Sequence, residues 1–249
     1  MRDMHLHLPV QTTASALPFS FPYGWRGLVC TSREEEWPRI LDAMASTEGM
    51  AGAIGLLPFS PWDMPLQAII MNMERLLRTH PDLQVGEVGL DRRYQDIVPL
   101  EKQREFLAAV LDISFTHSRS VSLHIVSCEN IFFEVLTGQR SRLPRLLWHG
   151  FTSSVETAQR FTALGGILSL GPSLWRPGLR LIERLKELRD VPFVIETDWP
   201  SGWLPEPWRK LPYHQILDNH TTRLSEALDI PRECLEERID ACGSILTDQ

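Results

Sequence analysis

The chain has 249 residues, 43% of them apolar and 23% charged, with no low-complexity tract; this predicts a soluble globular protein able to bury a full core. A formal net charge of −7 gives no general electrostatic grip on nucleic acid, although a nuclease that brings its own cations needs only a locally positive site. No stretch approaches about 18 uninterrupted apolar residues and no apolar run follows Met1-Arg2-Asp3, so neither a membrane span nor a signal peptide is expected. Cys30, Cys128, Cys234 and Cys242 lack CxxC spacing and read as reduced thiols of a cytoplasmic protein.

In chain order, short apolar or β-branched runs alternate with longer amphipathic stretches, the pattern of βαβ units in a parallel sheet. A first strand is predicted over 2–8. Residues 9–26, with three prolines and with Phe19, Phe21, Tyr23 and Trp25, lack a helical period. They read as a loop replacing the first helix, either a lid or base-stacking surface or plain hydrophobic cover. Strands over 27–31, 52–57 and 83–90 are followed by helices over 34–46, 65–79 and 99–116. In the last of these, Leu100, Phe106, Leu107, Val110 and Leu111 form an apolar stripe for core packing. The fifth and sixth strands cover 121–125 and 145–151. A helix over 154–164 precedes the seventh, 166–170, and one over 178–189 precedes the eighth, 191–197. A Pro-rich stretch from Trp199 to Trp208, with three tryptophans, follows directly. Eight strands, intervening helices and no linker predict one domain, residues 1–249, folded as a (β/α)8 TIM barrel with an irregular first helix.

Alternate strand residues point to one side, so His5 and His7 converge at the end of the first strand, with Asp3 on the same face as an orienter. Taken alone, such a pair is more often two ordinary interior histidines. Four further strand ends carry metal-ligand residue types: Glu87 in VGEVGLD, His124 in VSLHI, His149 in LLWHGF and Asp198 in VIETD. Catalytic groups of a (β/α)8 barrel stand at the C-terminal strand ends, so all six would meet over one mouth. Four histidines and two carboxylates suffice for two divalent ions. His80, His117, His214 and His220 fall in helices or loops away from the strand ends and read as surface or packing residues. Trp175, Trp203 and Trp208 read as barrel-end packing, with base stacking as the other reading.

These residues resemble a known family, the TatD-related metal-dependent deoxyribonucleases of the amidohydrolase-like barrels, over nearly the whole chain. The family's D-x-H-x-H strand is matched by Asp3, His5 and His7, and its G-E-[IV]-G-L-D by Gly86-Glu87-Val88-Gly89-Leu90-Asp91. The fifth-strand histidine is matched by His124, H-x-F by His149-Gly150-Phe151, and E-T-D-x-P by Glu196-Thr197-Asp198-Trp199-Pro200. The resemblance implies that His5, His7, Glu87 and Asp198 bind one metal and that a bridging Glu87 with His124 and His149 binds a second. Mg2+ or Mn2+ is the expected pair, Zn2+ being also compatible. It further implies a DNA substrate, degraded from the 3′ end of single strands. Such a metal pair orients water in line with a phosphodiester and stabilises charge on its oxygens. Asp198 is the candidate general base, and Glu87 the other catalytic carboxylate. The chain is also similar to TatD-like proteins of bacterial anti-phage cassettes of the Qat type, which implies partner proteins.

Departures from the family pattern bear on the substrate. Gly55-Leu56-Leu57-Pro58 stands where many relatives have G-x-H-P, and His124-Ile125-Val126 where they have H-S-R, which removes a bidentate phosphate clamp. Ala241-Cys242-Gly243 occupies the region where relatives usually carry an asparagine. Arg92 and Arg93, just past Asp91, are the substrate-binding candidates that would compensate; a solvated loop is the plain alternative. Two other functions are open. Amide or ester hydrolysis uses the same barrel, but cyclic amidases of this kind often bridge their metals with a carboxylated lysine where Glu87 stands. A barrel serving only as a subunit of a larger assembly would be expected to lose at least one ligand, and all six are present.

Overall fold

The structure, a computed structural model, describes residues 2–9 and 24–247. The aromatic loop expected between the first two strands falls mostly on residues 10–23, outside the described residues. Eight strands form one sheet in sequence order: β1 (Arg2–His7), β2 (Arg26–Cys30), β3 (Met50–Leu56), β4 (Gln84–Asp91), β5 (Ser120–Val126), β6 (Arg145–Trp148), β7 (Ile167–Leu170) and β8 (Phe193–Ile195). Every neighbouring pair is parallel. Past β8, the Asp198 amide donates to the His5 carbonyl (2.9 Å) and the His7 amide to the Trp199 carbonyl (2.7 Å). The last strand thus runs on against the first, and the sheet curls into the predicted TIM barrel.

Helices α1 (Trp37–Ser46), α2 (Leu66–Thr79), α3 (Leu100–Thr116), α4 (Glu129–Gly138), α5 (Val155–Thr162), α6 (Tyr213–Leu228) and α7 (Arg232–Thr247) complete the architecture. Pro65 and Pro99 stand at the caps of α2 and α3, where a missing amide costs no helical bond. Ile69, Ile70, Met73, Leu76 and Leu77 of α2 recur at helical spacing and are all buried against the sheet. The Ser154 hydroxyl caps α5 by accepting the Thr157 amide (3.2 Å).

Two expectations are corrected. Residues 178–189 do not form an α-helix: Arg180–Leu188 winds as a 3-10 helix. Gly178 enters it at φ +80° and Pro192 stops it soon after, leaving a confined segment. Within it, Arg184 reaches Glu187 (2.7 and 2.8 Å) three residues on, the spacing that a 3-10 turn eclipses. β6 ends at Trp148 rather than 151, although amide bonds from His149 to the Leu123 carbonyl and from Phe151 to the Ser169 carbonyl (3.0 Å each) extend its pairing. α4 is absent from the sequence expectations because Phe132, Phe133, Val135 and Leu136 make too short and too continuous an apolar run to separate helix from strand.

The core has two parts. A large cluster fills the layer between strands and helices, while Met4, Leu28, Cys30, Ala53, Leu147, Ile167, Val194 and Leu246 form a small separate one. The end of α7 stoppers the barrel at the strand starts. Arg2 at the start of β1 bonds Asp240 (2.8 Å) and Ser244 (2.7 Å), the Ser120 hydroxyl donates to the Leu246 carbonyl (2.6 Å), and Arg145 donates to the Ile245 carbonyl (2.7 Å). With that end filled, the opposite end is left for a ligand. No helix among the described residues is long and apolar enough to cross a membrane, and all four cysteines are unpaired.

Candidate metal centre

At the C-terminal end of the barrel a cavity of about 960 Å³ opens, lined by His7, Glu87, His124, His149, Glu196 and Asp198 among others. Its hub is Glu87, at the middle of β4 and 3% exposed. One carboxylate oxygen lies 3.6 Å from His5 Nε2 and 3.4 Å from His7 Nε2; the other lies 2.7 Å from His124 Nδ1 and 3.4 Å from His149 Nε2. Asp198 Oδ1 is 3.5 Å from His7 Nε2. The backbone makes this convergence sterically possible: a side chain at Gly55 of β3 would overlap the main chain of Gly86 and Glu87.

Each imidazole is held by its other nitrogen. His5 Nδ1 meets the Ser122 hydroxyl (2.9 Å), His7 Nδ1 the Cys30 carbonyl (2.9 Å), His124 Nε2 the Asp91 carboxylate (2.9 Å) and His149 Nδ1 the Glu196 carboxylate (3.1 Å). A ring fixed in this way presents its free nitrogen in one direction, the arrangement that orients metal-ligating histidines. Three groups of close-set ligand atoms result: His5, His7 and Glu87; Glu87, His124 and His149; and His5, His149 and Glu196. Five of the six residues expected from the sequence fall in these groups; Asp198 is in none of them and stands beside them, 3.5 Å from His7.

The electrostatics follow from burial and crowding. Burial alone would raise the Glu87 carboxyl, but facing His149 and His124, with hydrogen bonds from His124 and His5, outweigh it and hold the group well below the usual carboxylate range. Burial opposes protonation of His149, yet Glu196, Glu87 and Asp198 push it up to about 10. His7 rises against burial because Asp198 and Glu87 hydrogen-bond it, and His124 because of Glu87 and Asp91. His5 goes the other way, lowered by burial and by neighbouring His149. Asp198 stays ionised: burial opposes this, and His149 and His7 overcome it. Buried carboxylates and imidazoles that neutralise one another only by sharing protons are a donor set suited to divalent cations.

Three sequence readings change. Asp3 does not share the face of the two histidines, because the β1–β2 register shifts between Asp3 and Leu6. Met4 accordingly joins the small inner cluster and Leu6 the outer one, although strict alternation would pair them. Asp3 instead accepts the Thr197 amide (3.0 Å), the Thr197 hydroxyl (2.6 Å) and the Tyr213 hydroxyl (2.8 Å), bracing the segment that carries Asp198. Asp91 and Glu196 received no role from the sequence, yet period-two alternation from Glu87 and Asp198 puts both on the ligand face. His220 is not remote from the strand ends: Nε2 donates to the Leu170 carbonyl at the end of β7 (2.7 Å), while Nδ1 accepts from Trp175 (3.0 Å). It is fully buried packing, while His214 is exposed. Arg93 lines the cavity with Nε and Nη2 both on Asp91 (2.9 and 2.6 Å); Arg92 does not line it, and bonds the Ser127 carbonyl (2.9 Å).

A parallel eight-stranded barrel with buried His/Glu clusters at its C-terminal mouth defines the class as a metal-dependent hydrolase of the amidohydrolase-type barrel. Comparison narrows this. The family model for TatD related DNase matches residues 2–242, and the chain belongs to that family. It is 28% identical over 185 residues to the metal-dependent hydrolase YjjV of Escherichia coli K12, covering 70% of this chain and 67% of that one. It is 29% identical over 133 residues to the 3′-5′ ssDNA/RNA exonuclease TatD of Edwardsiella piscicida, a match spanning 52% of this chain and half of the relative. The crystal structure of Escherichia coli YjjV, a TatD homolog, superimposes with a TM-score of 0.79 at 22% identity, over 90% of this chain and 86% of that one.

Proposed function

We propose that the protein is a divalent-metal-dependent phosphodiesterase that removes nucleotides from the 3′ end of single-stranded DNA. The observation that carries this reading is the convergence of four ring nitrogens on the Glu87 carboxylate, each ring locked from behind by a separate partner. In this reading His5, His7, Glu87 and Asp198 hold one Mg2+ or Mn2+, and Glu87, His124 and His149 hold the other. Bound there, the ions supply Lewis-acid stabilisation of the charge that develops on the attacked and leaving phosphodiester oxygens.

The remaining work belongs to the chain. Asp198, ionised and at 30% side-chain exposure the most accessible of the six, takes the proton of the attacking water. Glu87 keeps both oxygens engaged and stays ionised at neutral pH. Glu196 and Asp91 fix the tautomers of His149 and His124. The 3′ polarity is supported by the name of the Edwardsiella relative. A role in an anti-phage cassette rests on sequence resemblance alone; infection of cells carrying that cassette with Glu87→Gln would test it, loss of protection being the expected result.

The direct test is degradation of 3′- or 5′-labelled single-stranded DNA under Mn2+ or Mg2+. Wild type is expected to shorten the strand from one end only. Asp198→Asn should lose on the order of 100-fold or more in rate, the usual scale of a general base, and His124→Ala should lose activity together with bound metal. A metal-loaded wild type that leaves DNA intact but cleaves acyl amides would refute the nuclease reading.

A further inference from the structure

Arg33, Arg39, Arg93 and Arg176 line the cavity, and they differ in what holds them. Arg93 is committed to Asp91, and Arg39 donates to the Pro9 carbonyl (2.7 Å). Among the described residues, neither Arg33 nor Arg176 forms an ion pair with a carboxylate. Their surroundings separate these two. Arg33 shares the β2 side with Glu35 and Glu36, and Glu129 lies on the β5 side, whereas among the described residues the loops after β7 and β8 add no carboxylate to the cavity lining beyond Glu196 and Asp198 of the floor; Glu206, in the loop after β8, is outside the lining and paired with Arg209. There Arg176 lies over the indole of Trp203, 5.6 Å from the ring centroid, and Trp203 lines the same cavity.

A polyanion approaching a floor of Glu87, Glu196 and Asp198 meets offsetting charges on the β2 side, where Glu35 and Glu36 stand beside Arg33 and Arg39, a carboxylate on the β5 side, and a cation without a neighbouring lining carboxylate on this one. A guanidinium lying over an indole is held in place yet keeps its donors, and it matches phosphate geometry. Trp offers a π-face that any base can stack on. Resting on the nuclease reading above, we propose that Arg176 and Trp203 are the strand-holding subsite. Arg176 takes a phosphate next to the linkage that is cut, Trp203 stacks an unpaired base beside it, and the strand enters across the β7–β8 loops.

The test is fluorescence anisotropy of 5′-fluorescein-labelled dT8 with Mn2+, in an Asp198→Asn background that slows cleavage. Adding Arg176→Ala or Trp203→Ala should weaken binding about tenfold or more, the scale of one lost stacking or charged contact. Arg176→Ala should also lower the slope of log affinity against log salt by about 0.7, the value for one phosphate on a single strand. Trp203→Ala should leave that slope in place, and Trp203→Phe should restore most of the affinity. Mn2+ content should match the parent in every variant. Unchanged dT8 binding, equal loss of Mn2+ and dT8, or no dT8 binding by the parent would overturn the subsite. A wild type that binds dT8 through these residues without cutting it would overturn the nuclease reading and leave the subsite standing.

Discussion

At the scale of single residues, the site is a proton-sharing network with Glu87 at its hub. Without a metal, His149 holds its proton up to about pH 10 and His7 is raised as well, while Glu87 remains ionised. A cation taken up by His149 must expel that proton, so below pH 10 affinity rises with pH, by up to tenfold per unit for each proton displaced. Titration calorimetry of Mn2+ between pH 6 and 9, in buffers of different ionisation enthalpy, should find at least one proton released per site filled; zero release would contradict the ligand set. The histidines and Asp198 are legible because they stand at or near the ends of strand-like runs, whereas Glu87 sits in the middle of β4 and is marked instead by its G-E-V-G-L-D motif. Their supports were less so. Asp91 and Glu196 were visible in phase with the ligands, but the Ser122 hydroxyl and Cys30 carbonyl become partners only through the pairing of separate strands. Asp3 was misread because a register shift cancels the alternation on which the reading relied.

At the scale of elements, what the periodic pattern revealed and what it concealed follow from contact range. α2 and α3 stand nearly where their apolar spacing puts them, because each buries one stripe against the sheet. The 3-10 winding of Arg180–Leu188 and the stoppering of the barrel by α7 depend on neighbours far along the chain, which no local pattern announces. The joint between α6 and β7 is of this second kind and carries its own pH response. Burial lowers His220 to about 4 from its ordinary 6.5. Its bonding is that of a neutral ring: Nδ1 already accepts from Trp175, so a second proton there would face a donor. Since the unfolded chain binds this proton at higher pH than the folded one, the contribution is full above pH 6.5 and is lost as pH falls toward 4. The shift corresponds to about 3 kcal/mol. Denaturant unfolding at pH 7 and pH 4 should show wild type losing about that much more stability than His220→Gln; equal losses would refute the assignment.

At the scale of the whole molecule, the barrel concentrates like charges at one end: Glu87, Glu196 and Asp198 with imidazoles crowded between them. Such a cluster costs stability in isolation, and a ligand specific to the folded state recovers it by mass action. Mn2+ at about 100 times its dissociation constant should add roughly 2.7 kcal/mol per site. For a chain of this size that corresponds to a Tm increase of about 5–10 °C. Glu87→Gln should abolish the increase, and a thermal melt unaffected by Mn2+ or EDTA would count against a metal centre.

The meeting of β1 with the residues after β8 has a consequence for synthesis. His7 and Asp198 belong to the first and last strand regions of the barrel, joined through the amide of Asp198 on the His5 carbonyl and that of His7 on the Trp199 carbonyl. A nascent chain still on the ribosome therefore has no finished centre until its final strand emerges. A metal centre built in this way stays incomplete through most of synthesis and is finished only by the closing of the ring.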